Sequence, residues 1–179
     1  MSLLLATLLP GLLLIALGGP LLVNHSGIVA ALKSMPRSGN AAFLFFGAGA
    51  AWFLWNVMHL SSADFGDFRT LLTIGFAIIA LLSFRCVPDF LAVRGLCALV
   101  LLAASPLLTS AYGEYQYGQR LFMVSFVYLM IALAIWLSAS PFRLRDFFEW
   151  LFARPGRTRA VGGALLGYGV LLAVVAFTY

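Results

Sequence analysis

Trp52, Trp55, Asn56 and His59 follow one another at spacings of three and four, so on a helix the four side chains share one face. Asp64, Asp67 and Arg69 come next, and a second polar stretch carries Tyr112, Glu114, Tyr115, Tyr117 and Arg120. If the two stretches meet, the imidazole of His59 with the carboxylates of Asp64, Asp67 and Glu114 makes a candidate metal or acid–base site. The simpler expectation is an aromatic belt with surface ion pairs, because Trp and Tyr ordinarily collect where a membrane meets water. Trp52, Trp55 and Asn56 are also the candidate lining of a path for a small neutral solute.

Other chemistries find fewer residues. The only histidines are His25 and His59; they stand at opposite ends of one apolar run and cannot ligate one haem iron within a protomer. Cys86 and Cys97 are not a Cys-x-x-Cys pair and have no companion histidines, which suits structural thiols. The chain contains no Gly-x-Ser-x-Gly, no His-Glu-x-x-His and no Walker loop. The expectation is therefore a non-enzyme with no cofactor.

The elements that hold these residues are set by composition. Of 179 residues, 63% are hydrophobic and 9% charged, against about 45–50% and about 25% in soluble domains. A soluble globule of this size has too few charges to cover that much apolar surface, so the chain reads as a single all-α polytopic membrane domain over residues 1–179. A hydrocarbon layer about 30 Å thick takes about 20 helical residues, and six runs approach that length: Leu3–Val23, 41–60, 68–84, 95–112, 121–139 and 160–178. The third is the shortest, with only 70–84 free of charge. None carries Asp, Glu, Lys or Arg near its centre, which argues against a proton relay, a charged-substrate carrier and a voltage sensor. The first run lacks any Lys or Arg ahead of Lys33, unlike a signal peptide, and is expected to be a true span. Pro10 should kink it, and Gly11, Gly18 and Gly19 let another helix come close.

Basic residues orient the spans. Lys33 and Arg37, then Arg85 and Arg94, then Arg143, Arg145, Arg154, Arg157 and Arg159 fall in the first, third and fifth gaps; only Arg69 and Arg120 fall in the second and fourth. The rule that positive loops stay inside places the odd gaps in the cytoplasm and both termini outside, in a bacterial inner membrane. Such scattered short basic loops exclude nucleic acid as a partner. The six spans then read as three hairpins, approximately 3–60, 68–112 and 121–178, each with a basic cytoplasmic elbow. In the third elbow Leu144, Phe147, Phe148 and Leu151 repeat at helical spacing while Arg143, Asp146 and Glu149 lie opposite, which predicts a short amphipathic helix in the membrane interface. Ser140 is placed to cap it, and Pro155-Gly156 to stop it. Ile28, Leu32 and Met35 have the same spacing in the first elbow. The middle elbow, 85–94, is an abbreviated version.

Two faces are expected to meet other helices or other chains. Arg143, Leu144, Phe147, Phe148, Trp150 and Leu151 form a partner or membrane interface; Gly47, Gly49, Gly163 and Gly167 allow close helix packing. Six spans with both termini outside are similar in plan to the small bacterial urea and amide channels, and the length and span count also resemble the substrate-binding subunits of vitamin importers. The resemblance is one of architecture. The function expected first is a non-catalytic subunit of a larger inner-membrane complex, in contact with the bilayer and with other subunits or further copies of itself. A channel or transporter for a small neutral solute is the alternative, and a membrane enzyme or metal protein built on His59 is the third.

Overall fold

The computed structural model describes residues 1–61 and 65–179. Among them are eight α-helices: α1 Leu3–Val23, α2 Ser26–Ser34, α3 Gly39–Met58, α4 Arg69–Cys86, α5 Leu91–Ala111, α6 Arg120–Ala139, α7 Phe142–Phe152 and α8 Pro155–Ala176. Six of the helical segments are long and apolar enough to cross a membrane. The third of these gains a 3-10 turn, Gly66–Phe68, ahead of α4 and so reaches 21 residues. At a rise of 1.5 Å per residue in α4 alone it extends about 27 Å, close to a full crossing.

Local chemistry explains the ends. Ser2 caps α1 by accepting the Leu5 N–H at 3.4 Å, and Ser38 caps α3 by accepting the Ala41 N–H at 3.3 Å. Asn24 closes α1 in the left-handed region, with its N–H on the Leu21 carbonyl. Helix α1 continues through both Pro10 and Pro20. The middle connection is short, and Phe90 takes a left-handed φ of 56° to turn the chain into α5. Its ring is held under the Arg37 guanidinium at 5.4 Å, which ties the first elbow to the second.

The first and last spans form the closest pair in the bundle. Helices α1 and α8 meet along their whole length through two glycine crossings, Gly11 with Gly169 and Gly18 with Gly162. Each pair is seven residues apart on its own helix, so one face of α1 lies backbone to backbone against one face of α8. Helix α5 is the hub: it packs on α3, on α6 and more lightly on α1. Gly95 sits directly on the Phe45 and Phe46 backbone of α3. The main core joins Leu3, Ala6, Leu14, Ala104, Met123, Val127 and Leu172 from α1, α5, α6 and α8. The spans paired in the expected hairpins, α1 with α3, α4 with α5 and α6 with α8, are thus not the principal packing pairs; α1 goes to α8, α3 to α5 and α5 to α6.

The elbows differ from expectation in detail. Helix α7 begins without a side-chain cap from Ser140, whose carbonyl instead accepts the Arg143 N–H. Pro155 is the first residue of α8, where its fixed φ suits the first turn, so it starts a helix as well as ending one. Helix α7 rests on the protein and on α2. Phe148 and Leu151 are buried and Leu144 packs on Val93, Cys97 and Ala134, while Phe147 and Trp150 stay exposed.

Candidate functional site

The polar residues at the end of the bundle that carries the termini divide into two groups. His59 caps the end of α3, its Nδ1 is 2.8 Å from the Trp55 carbonyl, and its ring lies on the Trp55 indole with centroids 4.4 Å apart. Glu114 accepts from the Gln116 amide at 2.6 Å in the exposed loop before α6. Asp67 lies in the 3-10 turn before α4, and Asp64 falls outside the described residues. No group of three His, Cys, Asp or Glu side chains comes together among the described residues. Arg120 is committed elsewhere: it donates to the Ala111 carbonyl at 2.5 Å and lies over the Tyr115 ring at 4.6 Å. That loop is a set of aromatic and ion–dipole contacts that closes the turn from α5 to α6.

Trp52 and Asn56 belong to the second group. They project from α3 toward α5 and line an open crevice of about 460 Å3 with Leu102, Ser105, Pro106, Thr109 and Ser110. Trp55, predicted beside them, is turned away and 61% exposed. The polar crevice adjoins an apolar cleft of about 520 Å3 that shares Trp52 and Pro106 and runs on between α1, α5 and α6 past Leu9, Pro10, Leu13, Phe126 and Met130. This space exists because α1 and α3 both lean on α5 and leave room between themselves.

Within the crevice two of the three hydroxyl groups, those of Thr109 and Ser110, have their protons occupied. Thr109 donates to the Ser105 carbonyl at 2.9 Å and Ser110 to the Leu107 carbonyl at 2.6 Å, so the oxygens are left with free lone pairs. Pro106 adds a further acceptor: it has no N–H to offer the Leu102 carbonyl one turn earlier. Sequence reasoning found Trp52 and Asn56 but missed Ser105, Pro106, Thr109 and Ser110. Their signal was present as hydroxyl and proline residues at positions 105, 106, 109 and 110 of an otherwise aliphatic helix.

A third feature is an apolar groove of about 370 Å3 among α3, α4 and α5, lined by Phe46, Gly49, Ala50, Phe53, Phe76, Ile79, Ala80, Ala98 and Leu101. Helix α4 packs on α3, has no buried residue, and stands off from α5. Gly49 lies at ordinary contact with Gly95 and Ala98, as close packing requires, whereas Gly47 faces open space. In α8 the close approach falls on Gly162 and Gly169; Gly163 touches only the Leu22 side chain and Gly167 faces open space.

At the opposite end, α2 and α7 bring the first and third elbows together. Lys33 lies over the Phe152 ring at 5.7 Å, Arg143 over Trp136 at 4.9 Å, and Arg157 over Trp150 at 4.6 Å while donating to the Trp150 carbonyl. The buried Thr158 hydroxyl donates to the Leu151 carbonyl at 3.1 Å and so locks α7 to α8. Arg145 bonds Asp146 at 2.7 Å, with Glu149 at 3.7 Å. That hydrogen bond and the carboxylate charge hold the guanidinium above its ordinary range.

No protein-family model matches the chain, and no characterised protein or solved structure is significantly similar to it.

Proposed function

We propose that the chain is a non-catalytic integral membrane subunit that packs within a larger assembly in a bacterial inner membrane, with its termini on the non-cytoplasmic side. The observation that carries this reading is α4. It has no residue buried by its own chain, and the groove beside it is floored by Gly49, Ala50, Ala80 and Ala98. Helices in lipid associate through close van der Waals contact across small residues, because lipid gives no hydrophobic drive for apolar side chains to leave it. A groove of aromatic walls and a small-residue floor suits one transmembrane helix of another subunit, and Gly75 on α4 leaves further bare backbone. The orientation is supported by the elbows, since Lys33, Arg37 and five arginines of the third elbow lie at the α2–α7 end.

The test is purification of the tagged chain from its native membrane in mild detergent, with mass spectrometry of what accompanies it. Stoichiometric partner subunits that crosslink to a photoreactive residue placed at Ile79 are the expected result. A chain recovered alone, or one whose partners crosslink elsewhere and not at α4, overturns it.

A second reading, passage of a small neutral solute, is supported by Trp52 and Asn56 lining one crevice. It requires Asn56→Leu to lower solute flux into proteoliposomes at equal expression, and unchanged flux removes that residue from the path.

A further inference from the structure

We infer that the crevice between α1, α3 and α5 is a binding site for a lipid alcohol, a neutral amphiphile whose hydroxyl sits at the polar mouth and whose chain fills the apolar cleft. This inference stands apart from the subunit reading, which rests on α4 and on different residues.

Two observations carry it. The first is polarity along one continuous space. Asn56, Ser105, Thr109 and Ser110 line the outer part, Met1, Trp52 and Pro106 belong to both parts, and the inner part is walled by aliphatic and aromatic side chains. From Thr109 to Val100 the crevice follows α5 for about 14 Å at 1.5 Å per residue, from near the end of the helix to its middle. A molecule that fits it has a polar group at one end only.

The second is the direction of the hydrogen bonds. Thr109 and Ser110 spend their protons on the Ser105 and Leu107 carbonyls and present oxygen lone pairs. The Leu102 carbonyl has no N–H partner at Pro106. An acceptor left bare at membrane depth calls for a donor. The Asn56 amide and the Trp52 indole N–H make no hydrogen bond among the described residues and supply donors in return. A hydroxyl group both gives and takes a hydrogen bond, and so meets one acceptor of α5 and one of the α3 donors at once. A quinone or ester carbonyl only accepts, and leaves the acceptors of α5 unmet.

The experiment uses the full chain in phosphatidylcholine nanodiscs and a hexadecanol probe that carries a diazirine near the middle of its chain. Irradiation is expected to label peptides containing Leu9 and Leu13 of α1 and Phe126 and Met130 of α6. Unlabelled hexadecanol should suppress the labelling, and its methyl ether, which cannot donate, should compete roughly fivefold less well. Thr109→Val with Ser110→Ala should reduce labelling by a similar factor, while Thr109→Ser should retain it, which separates loss of the hydroxyl from loss of the fold. Equal competition by the ether reduces the site to an apolar groove. Equal competition by phosphatidylglycerol makes it an ordinary lipid annulus, and labelling spread evenly onto α4 removes the site; each of the three overturns the inference.

Discussion

Replacing Gly162 with Ala tests the glycine crossing of α1 and α8 directly. A Cβ built there lies 2.5 Å from the Leu22 nitrogen, 2.8 Å from the Leu21 carbonyl carbon and 3.0 Å from the Gly18 oxygen, all of them backbone. No side chain can swing aside, so the helices must part by about 0.9 Å to restore van der Waals contact. Forcing one extra methyl into a close-packed interface costs about 1–3 kcal/mol, and the better helix propensity of Ala returns about 0.5–1 kcal/mol. The net loss is about 1–2 kcal/mol. Gly167→Ala is the internal control, because its Cβ meets nothing within 4 Å and only the propensity gain of about 0.5–1 kcal/mol remains. The two variants should therefore differ by about 2 kcal/mol, roughly 30-fold in the folding equilibrium. Unfolding of the purified chain by sodium dodecyl sulfate titration in mixed micelles, followed by the fluorescence of its four tryptophans, gives that difference. Gly169→Ala should behave like Gly162→Ala, since its Cβ meets the Gly11 oxygen at 2.8 Å and the Ile15 nitrogen at 2.9 Å. If Gly162→Ala proves as stable as Gly167→Ala, the backbone-to-backbone crossing and the reasoning built on it are refuted.

Thr158→Val should destabilise the chain by about 1–2 kcal/mol in the same titration, because it leaves the Leu151 carbonyl at the end of α7 without its buried donor. Thr158→Ser should restore most of that loss, and a neutral Thr158→Val would show that α7 is held by packing alone. An impermeant maleimide should label Cys86, exposed at the elbow end of α4, only in inverted vesicles, while Cys97, 3% exposed, should react only after denaturation. Labelling of Cys86 in intact cells would reverse the proposed orientation.

The span pattern was legible in the sequence because a membrane imposes one rule on every residue that enters it: about 20 apolar positions per crossing, with the backbone satisfied within the helix. That rule sees composition and length. It marked α1 to the residue, and it missed the others by a few positions, where 3-10 turns and caps extend or trim the helix ends. The amphipathic elbows were legible for the same reason, since helical spacing alone separates Leu144, Phe148 and Leu151 from Asp146 and Glu149.

Which helices touch is another matter. Apolar side chains in lipid carry little information about their neighbours, because a Leu facing a tail and a Leu facing a helix are in similar surroundings. Only the tertiary structure decided that α1 seeks α8 rather than α3, that Gly162 and Gly169 rather than Gly163 and Gly167 make the contact, and that Phe148 turns inward while Phe147 and Trp150 do not. The same holds for the cavities. By residue type alone, His59, Asp64, Asp67 and Glu114 were the strongest chemical group in the chain. The packing of α1 and α3 on α5 instead opened a space beside Trp52 and Asn56 and turned Thr109 and Ser110 into its rim. Sequence determined which segments are long and apolar enough to cross a membrane, because hydrophobicity acts on each residue separately. Tertiary structure decided which of them meet, because close approach depends on shape at several positions at once.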